Sequence, residues 1–86
     1  MEGLIEGRIV HYVLSNGEHR AAIVVRVFEL YGKEVGLANL IVFSDGSNDN
    51  EVVSGNVSEQ GMFWATSAHY DPEGTKHHTW HWIEKD

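Results

Sequence analysis

Asn16-Gly17 stands between two runs of β-branched and aromatic residues, 7–15 (GRIVHYVLS) and 21–29 (AAIVVRVFE). Both turn residues tolerate positive φ, so the dipeptide reads as the tip of a β-hairpin. The same punctuation recurs downstream. Gly32 ends the second run, and residues 35–44 (VGLANLIVFS) make a third strand. A polar stretch over residues 45–61 reads as a long loop. Residues 62–70 (MFWATSAHY) are a fourth strand, Asp71-Pro72-Glu73-Gly74 a turn, and residues 77–83 a fifth strand. No segment carries a convincing helical period. Five short strands predict one all-β domain over residues 1–86. It is a small five-stranded barrel or two orthogonal sheets, SH3-like in size.

Alternation assigns faces within that frame. Ile9, His11 and Val13 point one way along the first strand, and Arg8, Val10, Tyr12 and Leu14 the other. In the second strand Ile23, Val25 and Val27 oppose Ala22, Val24, Arg26 and Phe28. Both faces of that strand are apolar, as in a strand covered on both sides. In a chain of 86 residues the second cover is expected to come from another subunit, or from residues 45–61 folding over the sheet.

Charge narrows the partners. Six Lys and Arg against thirteen Asp and Glu give a net charge of −7, which argues against a general nucleic-acid binder. Without cysteine there are no disulfides, thiolate metal sites or thiol nucleophiles. No apolar run approaches the roughly 18–20 residues needed to cross a bilayer, so no membrane partner is expected. Residues 1–6 carry two glutamates where a secretory signal has a basic segment, and a cytoplasmic location is expected.

Six histidines, His11, His19, His69, His77, His78 and His81, are many for this length. On a strand, His77 and His81 share a face but stand about 13 Å apart. A zinc site would need His11 or His69 brought in from elsewhere, so no metal site and no cofactor are expected. DGSNDNE (residues 45–51) alternates acidic and polar groups, but its glycine is at the second place and not the sixth of a calcium loop. Asx-type turns explain it as well. Ser67, His69 and Asp71 alternate along one strand and point the same way without meeting, so no catalytic residues and no enzyme activity are expected.

The aromatic residues carry more. Trp64, Trp80 and Trp82 lie on the last two strands, with Tyr12, Phe63 and Tyr70 in reach. They are either core or a stacking platform for a flat ligand, with arginines reaching its phosphates. Arg26 interrupts the most apolar strand, where an unpaired charge is costly, so a carboxylate or an anionic ligand is expected beside it.

GRIVHYV (residues 7–13), GEHR followed by AIVVRV (residues 17–27), VFSDGSND (residues 42–49), Thr66-Ser67 with Tyr70-Asp71, and TWHW (residues 79–82) resemble a family of short, functionally uncharacterised proteins encoded by phages and prophages. The resemblance spans residue 7 to about residue 84. This chain departs from that pattern with Ala21 in place of Pro, Phe28 in place of Trp, and a longer stretch at 45–61. What the resemblance implies is a phage context and a role outside core metabolism. Small phage proteins of this general kind act as oligomeric sponges for host nucleotide signals. The expected function is therefore a homo-oligomeric binding module that sequesters a small anionic ligand, most concretely a nucleotide signal of host defence, in the host cytoplasm. Its expected ligand residues are Arg8, Tyr12, Arg26, Trp64, Ser67, Trp80, His81 and Trp82. The alternative is a protein-interaction module that binds a host or virion protein along a strand edge or aromatic groove. An enzyme would need a convergent base and acid, for instance His11 with His69 or His81.

Overall fold

The computed structural model describes residues 1–53, 56–57 and 61–84. Five strands close into a barrel in the order β1 (Ile9–Val13), β2 (His19–Leu30), β3 (Lys33–Phe43), β6 (Met62–Tyr70) and β7 (Thr79–His81). The remaining pair, β4 (Val52–Val53) and β5 (Asn56–Val57), forms a two-stranded ribbon. Thus the polar stretch expected as loop holds a ribbon and a single 3-10 turn, Gly46–Asn48; its residues 54–55 and 58–60 lie outside the described residues. Residues 77–83 were expected as one strand, but β7 has three residues, because His77 and His78 belong to the preceding turn.

The first hairpin is closed by three residues and not two. Leu14 N–H donates to Glu18 C=O at 2.8 Å, and Gly17 takes φ +87° at the third loop position. That single extra residue sets the register Val13↔His19, Tyr12↔Arg20, His11↔Ala21, in which odd residues of β1 face odd residues of β2. The barrel then closes through β7, antiparallel to β1 (His11↔His81, Tyr12↔Trp80) and parallel to β6 (His69↔Thr79, Tyr70↔Trp80).

One residue in two points inward, and these residues are the core: Val10, Tyr12, Ala22, Val24, Ala38, Leu40, Val42, Phe63, Ala65, Ala68 and Trp80. Four alanines leave the volume that Tyr12, Phe63 and Trp80 fill. A bulge in β6 switches the phase between Ala65 and Ala68. It puts Ser67 at φ +53°, where its N–H donates to Asn39 Oδ1 at 2.8 Å. The Thr66 carbonyl at the same bulge accepts from His78 Nε2 at 2.7 Å. With its proton thus on Nε2, His78 accepts the Tyr12 hydroxyl at Nδ1, 2.7 Å away. Burial first, and then the charge of Glu51, push the Tyr12 phenol up from its ordinary range.

The stretch after β3 is tied to the hairpin by a partly buried ion pair. Arg20 donates from Nε and Nη2 to the two oxygens of Asp49, each at 2.7 Å, and Asp49 also accepts the Asp45 N–H at 2.7 Å. The Arg20 bonds hold the Asp49 carboxyl below the usual range against the effect of burial. Outside the barrel, cross-strand pairs line up Ile9, Ile23, Ile41 and Trp64 in one row, with Val25 also exposed nearby. Among the described residues, the apolar outer side of β2 is thus partly open to solvent. Among the described residues, no helix is long and apolar enough to cross a membrane.

Candidate metal centre

The odd-to-odd register carries a direct chemical consequence. His11 and His81 are cross-strand partners on the outer side of the barrel, and His19 is the diagonal neighbour of His11 on β2. Three imidazoles from three adjacent strands therefore meet, with ring centroids 4.5 Å (His19–His81), 5.7 Å (His11–His81) and 6.1 Å (His11–His19) apart. Glu84, three residues past β7, turns back into their midst. Its Oε2 lies 2.5 Å from His11 Nδ1, its Oε1 2.7 Å from His19 Nδ1, and Oε1 also contacts His81 Nε2. One ligand atom from each of these four residues lies within 4.8 Å of every other. A tetrahedron built on Zn–N bonds of about 2.0 Å has edges of about 3.3 Å, so shifts of an ångström or so would close the set on an ion.

Protons decide what these contacts mean. His19 Nε2 lies 2.8 Å from the Gly74 carbonyl, which has no proton to give, so that nitrogen carries the N–H. In neutral His19 the other nitrogen, Nδ1, presents a lone pair to a carboxylate oxygen. Two acceptors at 2.7 Å need a cation between them, either a second proton or a metal ion. A ligating histidine held by its far N–H on a backbone carbonyl is the usual arrangement at metal sites. Burial raises the Glu84 carboxyl, but its own backbone N–H and the His81 and His11 imidazoles outweigh that and hold it at about 2. Glu84 is therefore a carboxylate at neutral pH.

The turn between β6 and β7 roofs the cluster. His81 is 3% exposed, its Nδ1 is buried with no hydrogen-bond partner among the described residues, and its Nε2 contacts the Glu84 carboxylate at the centre of the cluster. Gly74 lies flat against it. A Cβ there would stand 2.9 Å from His81 Cε1 and 3.2 Å from His19 Cε1. Asp71 shapes this turn by accepting the N–H groups of Glu73 (3.2 Å), Thr75 (3.1 Å) and Lys76 (3.1 Å). The Lys76 N–H does most to hold the Asp71 carboxyl below its usual range, against its burial, with Thr75 and Glu73 adding to it. A depressed carboxyl contributes stability above its unfolded value of about 3.9 and loses it as pH falls through the lower folded value. Asp71→Asn should therefore melt at lower temperature than the parent at neutral pH, and the two should converge in strong acid. Thermal melts from pH 7 down to about pH 2 check this, and a constant gap would remove Asp71 from the turn.

The expected ligand residues do not form one site. Tyr12 and Trp80 are fully buried in the core, Trp80 donating from Nε1 to the Gly36 carbonyl at 2.7 Å. Arg26, Trp64 and Ser67 lie on the outside across β2, β3 and β6, Arg26 opposite Asn39, whose Oδ1 accepts the Ser67 N–H, and Trp64 opposite Ile41. Arg26 is exposed beside a bulge with its guanidinium 4.8 Å from the Phe28 ring centroid, so the desolvation behind the expected anion there is absent. His81 belongs to the histidine cluster, whereas Arg8 and Trp82 come together elsewhere: Arg8 stands over the Trp82 ring at 5.5 Å, and with Gly7, Ile9 and Ile83 these two line an open pocket of about 450 Å³. No metal site is expected from the sequence; His19 and Glu84 enter no site there, and His11 enters as a partner drawn in from elsewhere for zinc or, with His69 or His81, as an acid–base pair. The pairing of His11 with His81 is long-range and invisible to spacing along one strand.

Protein-family models, curated proteins and solved structures were all compared with the chain, and none matches it.

Proposed function

We propose that this barrel is a metal-binding protein that holds one divalent transition ion, zinc foremost, on His11, His19, His81 and Glu84. The observation that carries the reading is His19, whose Nε2 donates to the Gly74 carbonyl while its Nδ1 stands 2.7 Å from a Glu84 oxygen, a contact that needs a cation between the two atoms. The donor set fits: imidazole suits zinc, copper, iron and nickel, and three imidazoles with one carboxylate satisfy a tetrahedral ion. The ligands come from β1, β2 and the segment ending β7, so an ion would also fasten the short closing strand to its neighbours.

Isothermal titration of chelator-treated protein with zinc should give one ion per chain. His11→Ala, whose side chain is partly exposed and outside the core, should stay folded and lose at least about 100-fold in zinc affinity, beyond the roughly 10–100-fold that an outer-shell partner contributes. A His11→Ala protein with parental zinc affinity, or a parent that takes up no zinc, overturns the proposal.

A further inference from the structure

We infer that the ion is a ligand-accepting centre, and that a small oxyanion with an apolar body displaces Glu84 and seats its body in the adjoining pocket. This rests on the cluster being a metal centre. The four ligands are unequal. The three histidines belong to strands, with side chains 4–31% exposed, whereas Glu84 lies beyond β7 with its side chain 46% exposed. No ladder holds it. A carboxylate on a chain segment outside the sheet is the ligand that gives way with least disturbance to the barrel.

What lies beside that position is built for a particular chemistry. The pocket neighbours the cluster along the chain: Ile9, which lines it, stands two residues before His11 on the same face of β1, and Trp82 and Ile83, which also line it, lie between His81 and Glu84. Ile9 and Ile83 are about half exposed, so they offer apolar surface that a hydrocarbon or ring would cover. Arg8 has no ion pair among the described residues and is held in place by its contact with Trp82. Three neutral imidazoles and a divalent ion leave two positive charges once Glu84 departs. In a chain of net charge −7, the ion and Arg8 together supply positive charge that draws in an anion here. Phosphate and phosphonate oxyanions suit both an arginine fork and a zinc ion.

The probes are phenylphosphonate, which has an apolar ring, and methylphosphonate, which lacks one. Zinc uptake is measured first, so that a failure of the metal centre is seen separately. Zinc-loaded protein should bind phenylphosphonate at one per chain and at least about tenfold more tightly than methylphosphonate. Chelator-treated protein should bind it at least about tenfold more weakly. Arg8→Ala should bind zinc as the parent does and lose about tenfold for phenylphosphonate. Cobalt in place of zinc reports the ligand set directly, and its visible absorption should change when phenylphosphonate is added. Protein that takes up zinc but binds both phosphonates equally, or an unmoved cobalt spectrum, or an Arg8→Ala protein with parental phosphonate affinity, overturns the inference.

Discussion

Gly74→Ala should reduce zinc affinity on the order of 100-fold, the upper end of what groups orienting metal ligands contribute. The reason is crowding on two rings at once. The added Cβ would lie 2.9 Å from His81 Cε1, 3.1 Å from His81 Nδ1 and 3.2 Å from His19 Cε1. His81 is buried and has nowhere to go, so the turn must lift, and with it the Gly74 carbonyl that holds the His19 proton on Nε2. Both the position and the tautomer of the ligands are then lost. Gly74 also takes φ +67°, where an L-residue is strained by about 1–2 kcal/mol. Gly74→Asn separates the two effects, since Asn tolerates positive φ but brings the same Cβ. It should lose zinc affinity as Gly74→Ala does, with a smaller fall in melting temperature. If either variant binds zinc as the parent does, the turn does not hold these rings.

The barrel was legible because its strands announce themselves locally. Alternation of Val10, Tyr12, Ala22 and Val24 against Ile9, His11 and Ile23 sets faces without knowledge of neighbours, and Asn16-Gly17 joins the first pair. What local pattern cannot give is the parity of the hairpin. A two-residue loop would pair His11 with an even residue of β2 and turn His19 to the other face. The three-residue loop ending at Gly17 brings His19 and His11 together instead. Barrel closure is likewise a long-range event, and only it sets His81 beside His11. The β6 bulge at Ser67 is a third case, since it moves Ala68 and Tyr70 inward after an odd-numbered run. Spacing along one strand made a metal pair of His77 and His81 unworkable, and His77 does lie elsewhere, against Glu51. The site arises from registers between strands, each determined by one residue more or less in a loop or bulge.

Trp80→Ala should bring the chain to the edge of unfolding. Removing a fully buried indole costs about 3–5 kcal/mol, and the Gly36 carbonyl left without its Nε1 donor adds about 1–3 kcal/mol. The backbone cannot close over the gap from that side, because Gly36 is already packed with its Cα against Tyr70, where a Cβ would stand 2.9 Å from Tyr70 Cβ. Small domains have about 5–15 kcal/mol in all, and a chain with so thin a core sits toward the lower end. Urea unfolding followed by circular dichroism reads the result, and a parental midpoint would mean that the indole is not what holds the core together. The same variant also links core to metal. Trp80 and His81 are neighbours on a strand of three residues, so the segment that loses its anchor in the core is the one that carries the buried ligand. Zinc binds only the closed barrel in this reading, and at about 100 times its Kd it adds about 2.7 kcal/mol to the folded state. Trp80→Ala should therefore regain part of its β-sheet signal when zinc is added, and the double variant Trp80→Ala, His11→Ala should not.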